Sequence, residues 1–150
     1  MEYTYVMIKP DGVKRRVVGE IISRIEKKGY GIGTIQSGVA TKEILENHYA
    51  HIKDKPFFPS LVEFMTSGPV VKMVVMGHDV VNGMRRLLGQ TNPREADIGT
   101  IRGDLANCMG RNLCHASDSV ENAQKEVALW VEGGVPQNYS QSDYSLVYEK

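Results

Sequence analysis

The sequence predicts an α/β protein of the α+β kind: a ferredoxin-like βαββαβ arrangement with a four-stranded antiparallel sheet covered by helices, plus extra helices and a C-terminal extension. Three observations predict it. Short β-branched or aromatic runs recur at Tyr3–Ile8, Ile32–Ala40, Pro69–Met76 and Leu113–Ala116. Segments with apolar residues three and four apart separate them, giving the order β, α, β, αα, β, α, β, α. No repeat, low-complexity tract or linker divides the 150 residues, so one domain over residues 1–150 is expected.

The elements follow in order from local chemistry. Tyr3 to Ile8 reads as a strand that stops at Pro10-Asp11-Gly12, a turn signal, which leaves Lys9 at the strand's end. Val18, Ile21, Ile22 and Ile25 share one face of a helix from Val18 to Lys28, with Gly29 as its stop. Gly33 and Gly38 interrupt the next strand, Ile32 to Ala40. Thr41 then caps a helix bearing Ile44, Leu45, His48, Tyr49 and Ile52, and Pro59 to Thr66 continues it as a helical hairpin. Pro69 to Met76 is apolar apart from Lys72, as a strand buried on both faces would be. Asp79 is placed to cap a helix in which Val80, Val81, Met84, Leu87 and Leu88 share a face, and Gly89 ends it. Gly89 to Asn112 is the longest stretch without pattern and reads as a functional loop. After the short strand Leu113–Ala116, Asp118 and Glu121 form a capping-type pair ahead of Val120, Ala123, Val127 and Val131 on the last helix.

Composition removes several function classes. Eighteen Lys and Arg balance eighteen Asp and Glu, so the chain lacks the positive excess behind sequence-independent binding, and no specific nucleic acid is expected. Cys108 and Cys114 are too few for a disulfide framework and belong to no zinc-type pair of pairs. The N-terminus shows no basic stretch leading into an apolar run, and no segment approaches the roughly 18 apolar residues of a membrane span. A soluble, cytoplasmic protein without a membrane partner is expected. Asn138-Tyr139-Ser140 matches the glycosylation pattern, and without a secretory signal it reads as chance.

The chain contains no G-x-x-x-x-G-K-[ST] loop and no protein-kinase catalytic-loop or D-F-G pattern. Cationic and polar groups nevertheless stand at element edges: Lys9 after a strand, Arg85 on a helix, and Thr91, Arg102 and Arg111-Asn112 in or near the long loop. Such groups suit oxyanions, although any one of them alone is more often a solvated surface charge. His115 ends a short apolar stretch and precedes Ala116-Ser117-Asp118-Ser119 at a helix start, where backbone N–H groups can meet an anion. A neutral imidazole there could attack a phosphoryl group and hold it covalently. A single histidine is also commonly structural, and position alone leaves both readings open. Cys114 belongs to the core, because neighbours on a strand point to opposite faces. His48 and His51 lie one turn apart and could touch one metal, but no nearby carboxylate or third histidine completes a set, which favours a structural role.

Asn112-Leu113-Cys114-His115-Ala116-Ser117-Asp118-Ser119 closely resembles the N-x-x-H-G-S-D-S signature of nucleoside diphosphate kinases. The resemblance extends over nearly the whole chain, in order and spacing. It takes in Met7-Ile8-Lys9-Pro10-Asp11-Gly12-Val13, His48-Tyr49, Lys55-Pro56-Phe57-Phe58, Thr66-Ser67-Gly68-Pro69-Val70, Thr91-Asn92-Pro93 and Gly99-Thr100-Ile101-Arg102-Gly103-Asp104. It implies ping-pong transfer of the γ-phosphate of a nucleoside triphosphate, typically ATP, to a nucleoside diphosphate through a phosphohistidine at His115. Glu126 would bond the opposite ring nitrogen, and Ser117 would support the site. Lys9, Tyr49, Arg85, Thr91, Arg102 and Asn112 match positions that bind phosphates or the sugar 3′-hydroxyl. Phe57 and Met109 match positions that sandwich the base, with Leu61 a further nucleotide-binding position, and stacking tolerates any base. The resemblance also implies Mg²⁺ bridging the phosphates, with Asp118 reaching it through water. It further implies a homo-oligomer, with a hexamer favoured over tetramer or dimer.

One residue departs from the pattern, because Ala116 stands where the family usually has Gly. A methyl there is harmless at negative φ and strained at positive φ, and activity is expected to be retained. The stretch from Gly133 to Ser142 also matches weakly. A relic site on a nucleic-acid-binding module would bind in a salt-sensitive way without turnover. A metabolite kinase with direct transfer would show sequential kinetics.

Overall fold

The structure, a computed structural model, describes residues 1–149. Strands β1 (Glu2–Ile8), β2 (Gly31–Val39), β3 (Pro69–Gly77) and β4 (Cys114–Ala116) form one antiparallel sheet in the order β2-β3-β1-β4. The predicted four-stranded α/β arrangement is therefore present. The helices are α1 (Pro10–Lys14), α2 (Val18–Lys28), α3 (Lys42–His48), α4 (Phe58–Met65), α5 (Val80–Leu88), α6 (Ile101–Leu105), α7 (Val120–Trp130) and α8 (Tyr144–Val147).

Alternation along β1 explains the layers. Val6 and Ile8 join Ile21 and Ile25 of α2 and Met84 and Leu88 of α5 on one face. Tyr5 and Met7 join Leu45 of α3, Met65 of α4 and Trp130 of α7 on the other. With both faces covered, β1 and β3 have no solvent side, and β3 accordingly reads as an almost continuous apolar run.

Several local readings are corrected. Pro10-Asp11-Gly12 opens a one-turn helix rather than a turn: Pro10 is pre-set for a first helical position, and Asp11 Oδ2 accepts the Leu113 N–H at 3.0 Å. Thr41 caps α3 by accepting the Ile44 N–H, but that helix ends at His48 rather than at Ile52. Asp79 precedes α5 without capping it, because its backbone is left-handed (φ 51°), and Glu2 Oε2 instead accepts the Val81 N–H at 2.9 Å. The cap of α7 is Ser119, which accepts the Asn122 N–H, and not Asp118. The unpatterned stretch 89–112 contains α6, capped by Thr100, and the C-terminal extension contains α8.

Candidate active site

β1, β4 and α7 converge on His115. Antiparallel pairing sets His115 opposite Met7 in the middle of β4 and sends its side chain away from the core that holds Cys114. Burial pushes the Cys114 thiol up to about 11, so it supplies no nucleophile. His115 Nε2 lies 2.8 Å from Glu126 Oε1, and Ser117 Oγ donates to the same oxygen at 2.6 Å. Ser117 is fully buried, and its backbone N–H donates to the Tyr5 carbonyl at 3.1 Å. Burial pushes the Glu126 carboxyl up, but the hydrogen bond and charge of His115, the Ser117 hydroxyl and His48 together hold it below the usual range. An ionised carboxylate can only accept, so Nε2 carries the ring proton and the lone pair is left at Nδ1.

The histidine faces a cavity of about 370 Å³, a size suited to a small-molecule ligand. Lys9, Arg85 and Arg102 line it, with Tyr49, Thr91 and Asn112 between them, so residues scattered from β1 to the long loop meet around one imidazole. The polar wall is tied together. Lys9 Nζ donates to Asn112 Oδ1, and Asn112 Nδ2 donates to the Thr91 carbonyl at 3.0 Å. Arg102, only 8% exposed, donates to the carbonyls of Asn112, Gly89 and Cys114 at 3.3, 3.0 and 2.6 Å. Two of its five N–H groups remain for a ligand. Burial lowers the basicity of Lys9 and Arg102 and, followed by Glu126, raises Tyr49 to about 12, which keeps that hydroxyl a donor at neutral pH.

The backbone leading into the site is strained at one point. Leu113, fully buried, adopts φ 77°, which turns its N–H to Asp11 and its carbonyl to the Lys9 N–H at 2.8 Å. Ala116 does not share that geometry. It lies in extended β4, outside the positive-φ residues, and its methyl is buried in the core without backbone strain.

The base-binding candidates stand apart from the cavity. Phe57 and Met109 are about half exposed, and Leu61, on α4 itself, is partly buried against the second core cluster. The Arg111 guanidinium lies 3.9 Å over the Phe64 ring, which ties the 108–111 turn to α4. Asp118 lines the cavity rim with its Oδ1 accepting from Asn122, a bond that holds its carboxyl below the ordinary range.

The sequence favours a structural role for His48 with His51 one turn away, and in the structure His48 instead packs against Trp130 and His115. Its Nδ1 accepts the Trp130 indole N–H at 3.0 Å, and its ring meets the His115 ring edge-on with centroids 5.0 Å apart. Donor atoms of His48, His115 and Glu126 all lie within 4.8 Å of one another. Burial, followed by the His115 charge, lowers the His48 imidazole to about 4, so it is neutral. Because Nδ1 accepts from Trp130, Nε2 carries the proton and offers no lone pair to a metal shared with His115 and Glu126. The only sequence signal for this was the adjacency of His48 to Tyr49. His51 lines the cavity from the turn after α3.

Comparison with known proteins places this geometry in context. Residues 2–134 match the family model for nucleoside diphosphate kinase. A nucleoside diphosphate kinase of Emericella nidulans is 50% identical over 149 residues, covering 99% of this chain and 97% of its own. Nucleoside diphosphate kinase B of Flaveria bidentis is 51% identical, covering 99% of this chain and 100% of its own. Among solved structures, the apo enzyme of Encephalitozoon cuniculi superposes with a TM-score of 0.93 at 46% identity, covering 99% of this chain and 100% of its own. The halophilic enzyme of Halobacterium salinarum, solved in complex with CDP, superposes at 0.92 with 40% identity and 99% of both chains covered.

Proposed function

Because the chain belongs to the nucleoside diphosphate kinase family, we propose that His115 is the atom-carrying centre through which phosphate passes from one nucleotide to another. The reaction is transfer of the γ-phosphate of a nucleoside triphosphate to a nucleoside diphosphate, by the ping-pong histidine route general to the family. It maintains nucleoside triphosphate pools. The observation that carries the assignment is the Ser117–Glu126–His115 chain of hydrogen bonds, which leaves Nδ1 free at a cavity lined by three cations.

In the first half, the Nδ1 lone pair attacks the γ-phosphorus, and the bond from phosphorus to the β,γ-bridging oxygen breaks, with its electron pair leaving on the diphosphate. In the second, a terminal oxygen of the acceptor diphosphate attacks the same phosphorus, and the P–N pair returns to Nδ1. Glu126 keeps the Nε2 proton in place and offsets the charge the ring gains while phosphorylated. Lys9, Arg85 and the free N–H groups of Arg102 meet the phosphate oxygens, where a loose transition state spreads its charge. Tyr49, Thr91 and Asn112 add neutral donors towards the phosphates and the sugar 3′-hydroxyl. Phe57, Leu61 and Met109 would hold the base by packing alone, which tolerates any base.

Nucleotide kinases of this kind use a divalent metal, and Mg²⁺ fits the residues present. Asp118 is the rim carboxylate not occupied by His115, and it suits an ion held mainly by phosphates and water. When bound, the ion neutralises phosphate charge. Residues 1–150 act as one domain in a homo-oligomer, a hexamer in this reading, located in the cytoplasm. Among the described residues no helix is long and apolar enough to cross a membrane.

Incubation with ATP labelled at its γ-phosphate tests the assignment. An acid-labile, base-stable label should appear on the protein, vanish on addition of GDP and be absent from His115→Ala. Label retained in that variant, or intersecting rather than parallel initial-rate lines, would remove His115 from the route.

A further inference from the structure

We propose that Asp11 is a positioning residue for the transfer: its buried carboxylate holds a strained turn at Leu113 and so fixes where Asn112 stands relative to His115. The proposal rests on the roles given above to those two residues.

The turn comes immediately before the nucleophile. The Cys114 N–H donates to the Asn112 carbonyl at 2.9 Å, two residues back, and Leu113 between them has φ 77°. Together these make a γ-turn of the uncommon positive-φ form. Leucine carries a Cβ that disfavours this region, and Leu113 is fully buried, so its backbone groups must be paired within the protein. A conformation of this kind persists only where the surrounding structure holds it.

The holding groups come from opposite sides. The peptide between Asn112 and Leu113 is gripped at both ends: Asp11 Oδ2 accepts its N–H at 3.0 Å, and Arg102 Nε donates to its carbonyl at 3.3 Å. The next carbonyl, that of Leu113, accepts the Lys9 N–H at 2.8 Å. α1 is seated so close that a Cβ on Gly12 would lie 3.0 Å from the same carbonyl oxygen, which brings the neighbouring Asp11 within reach of the turn.

Lys9 and Arg102 also reach the cavity, whereas Asp11 is not among the residues that line it. Asp11 is 7% exposed, and its Oδ1 is buried without a hydrogen bond among the described residues. A buried acceptor left unpaired is destabilising, so fold stability alone does not account for a carboxylate at this position. What it supplies is a strong acceptor for the one N–H that the turn sets at its disfavoured angle.

His115 is held independently of the turn, by the pairing of β4 with Met7 and by Glu126. Asn112 lies on the other side of the turn, bonded to Lys9 and to the Thr91 carbonyl. Relaxation of Leu113 to negative φ therefore shifts this polar wall against a fixed imidazole, and a misplacement of about 1 Å can cost about 100-fold in rate.

Asp11→Ala removes the acceptor, and Asp11→Asn keeps an oxygen for the Leu113 N–H. At saturating ATP, the single-turnover rate of His115 labelling should fall about 10-fold or more in Asp11→Ala and stay within about threefold of wild type in Asp11→Asn. In nucleotide-free protein, the strong NOE between the amide and α protons of Leu113, which marks positive φ, should weaken in Asp11→Ala and persist in Asp11→Asn. A purely structural Asp11 would lower the melting temperature of Asp11→Ala but leave the labelling rate and the NOE of the folded protein unchanged, and that result overturns the proposal. Equal rate losses in the two variants also overturn it. Asp11 would then act as a counter-charge for Lys9, whose basicity burial lowers and Asp11 supports. If Asp11→Ala does not fold, Asp11→Leu, which fills the space of the carboxylate, should give the same readings. Absence of label on wild-type His115 would count against the proposed function, whereas the NOE reads the turn whether or not phosphate is transferred.

Discussion

Glu126 reaches His115 at Nε2, and in the proposed route that contact leaves Nδ1 to take phosphate and predicts what the loss of Glu126 should do. Glu126→Gln keeps the shape but removes the anion that supports the phosphorylated ring, so kcat should fall by roughly 10- to 100-fold with nucleotide KM little changed. Single-turnover labelling checks this, and an equal rise in KM would place Glu126 in binding instead. His48 gives a second prediction at this scale. Its folded-state value of about 4 lies below the ordinary histidine range, so the unfolded chain binds the proton first as pH falls. The associated stability is present in full above about pH 6.5 and is lost progressively as pH falls towards 4, by on the order of 3 kcal/mol. His48→Gln retains an acceptor for the Trp130 N–H, and its melting temperature should fall less steeply over that interval. Equal slopes would show that other groups carry the acid sensitivity. At Ala116 the extended backbone predicts that Ala116→Gly leaves kcat within about twofold, because no strain is there to relieve. A large gain in steady-state rate would show that the methyl hinders phosphate.

Among the elements, the stretch between α5 and β4 is held less by its own helix than by Arg102, which gathers three carbonyls from both of its ends. Arg102→Ala removes these bonds and strands buried carbonyls, so a loss of roughly 2–4 kcal/mol is expected. Faster proteolytic cleavage between Gly89 and Asn112 would accompany it. Denaturant melts and limited digestion measure the two, and an unchanged melt would reduce Arg102 to a ligand-binding charge. This stretch also marks where sequence reasoning ends. β1, β2, β3, α2, α5 and α7 were legible because they carry enough residues for a pattern to repeat, whereas the three-residue β4 was legible only as a short apolar run ahead of a helix start. α1, α6 and α8 are four or five residues long, a single turn each, and a single turn has no period to read. The caps at Asp79 and Asp118 failed because capping depends on backbone angles and distant partners: Val81 is capped by Glu2, 79 residues away. The site followed the same rule. Motif residues announced Lys9, Asn112 and His115, while the bond from Trp130 to His48 spans 82 residues.

For the whole molecule, the sheet order leaves β2 at an edge, paired to β3 alone. The C-terminal residues cover part of that strand: Pro136 packs at Gly33, Tyr139 packs at Gly31, and Gln36 exchanges hydrogen bonds with the Glu132 backbone. The other end is open, with Ile35 53% and Val39 58% exposed beside unpaired backbone groups. An apolar edge of this kind pairs with other chains unless it is blocked, and here neither charge nor proline blocks it between Ile35 and Val39. With equal numbers of acidic and basic residues, the chain also has little net repulsion to keep copies apart. The proposed hexamer would cover this edge by ordered pairing. Native mass spectrometry and light scattering should therefore find an assembly of six chains, and Ile35→Glu, which sets a carboxylate in the middle of the edge, should shift it to smaller species at equal protein concentration. A natural protein that runs at the mass of one chain would end the hexamer proposal. An Ile35→Glu variant that stays fully assembled would instead place the contacts elsewhere and leave the β2 edge to be covered by some other means.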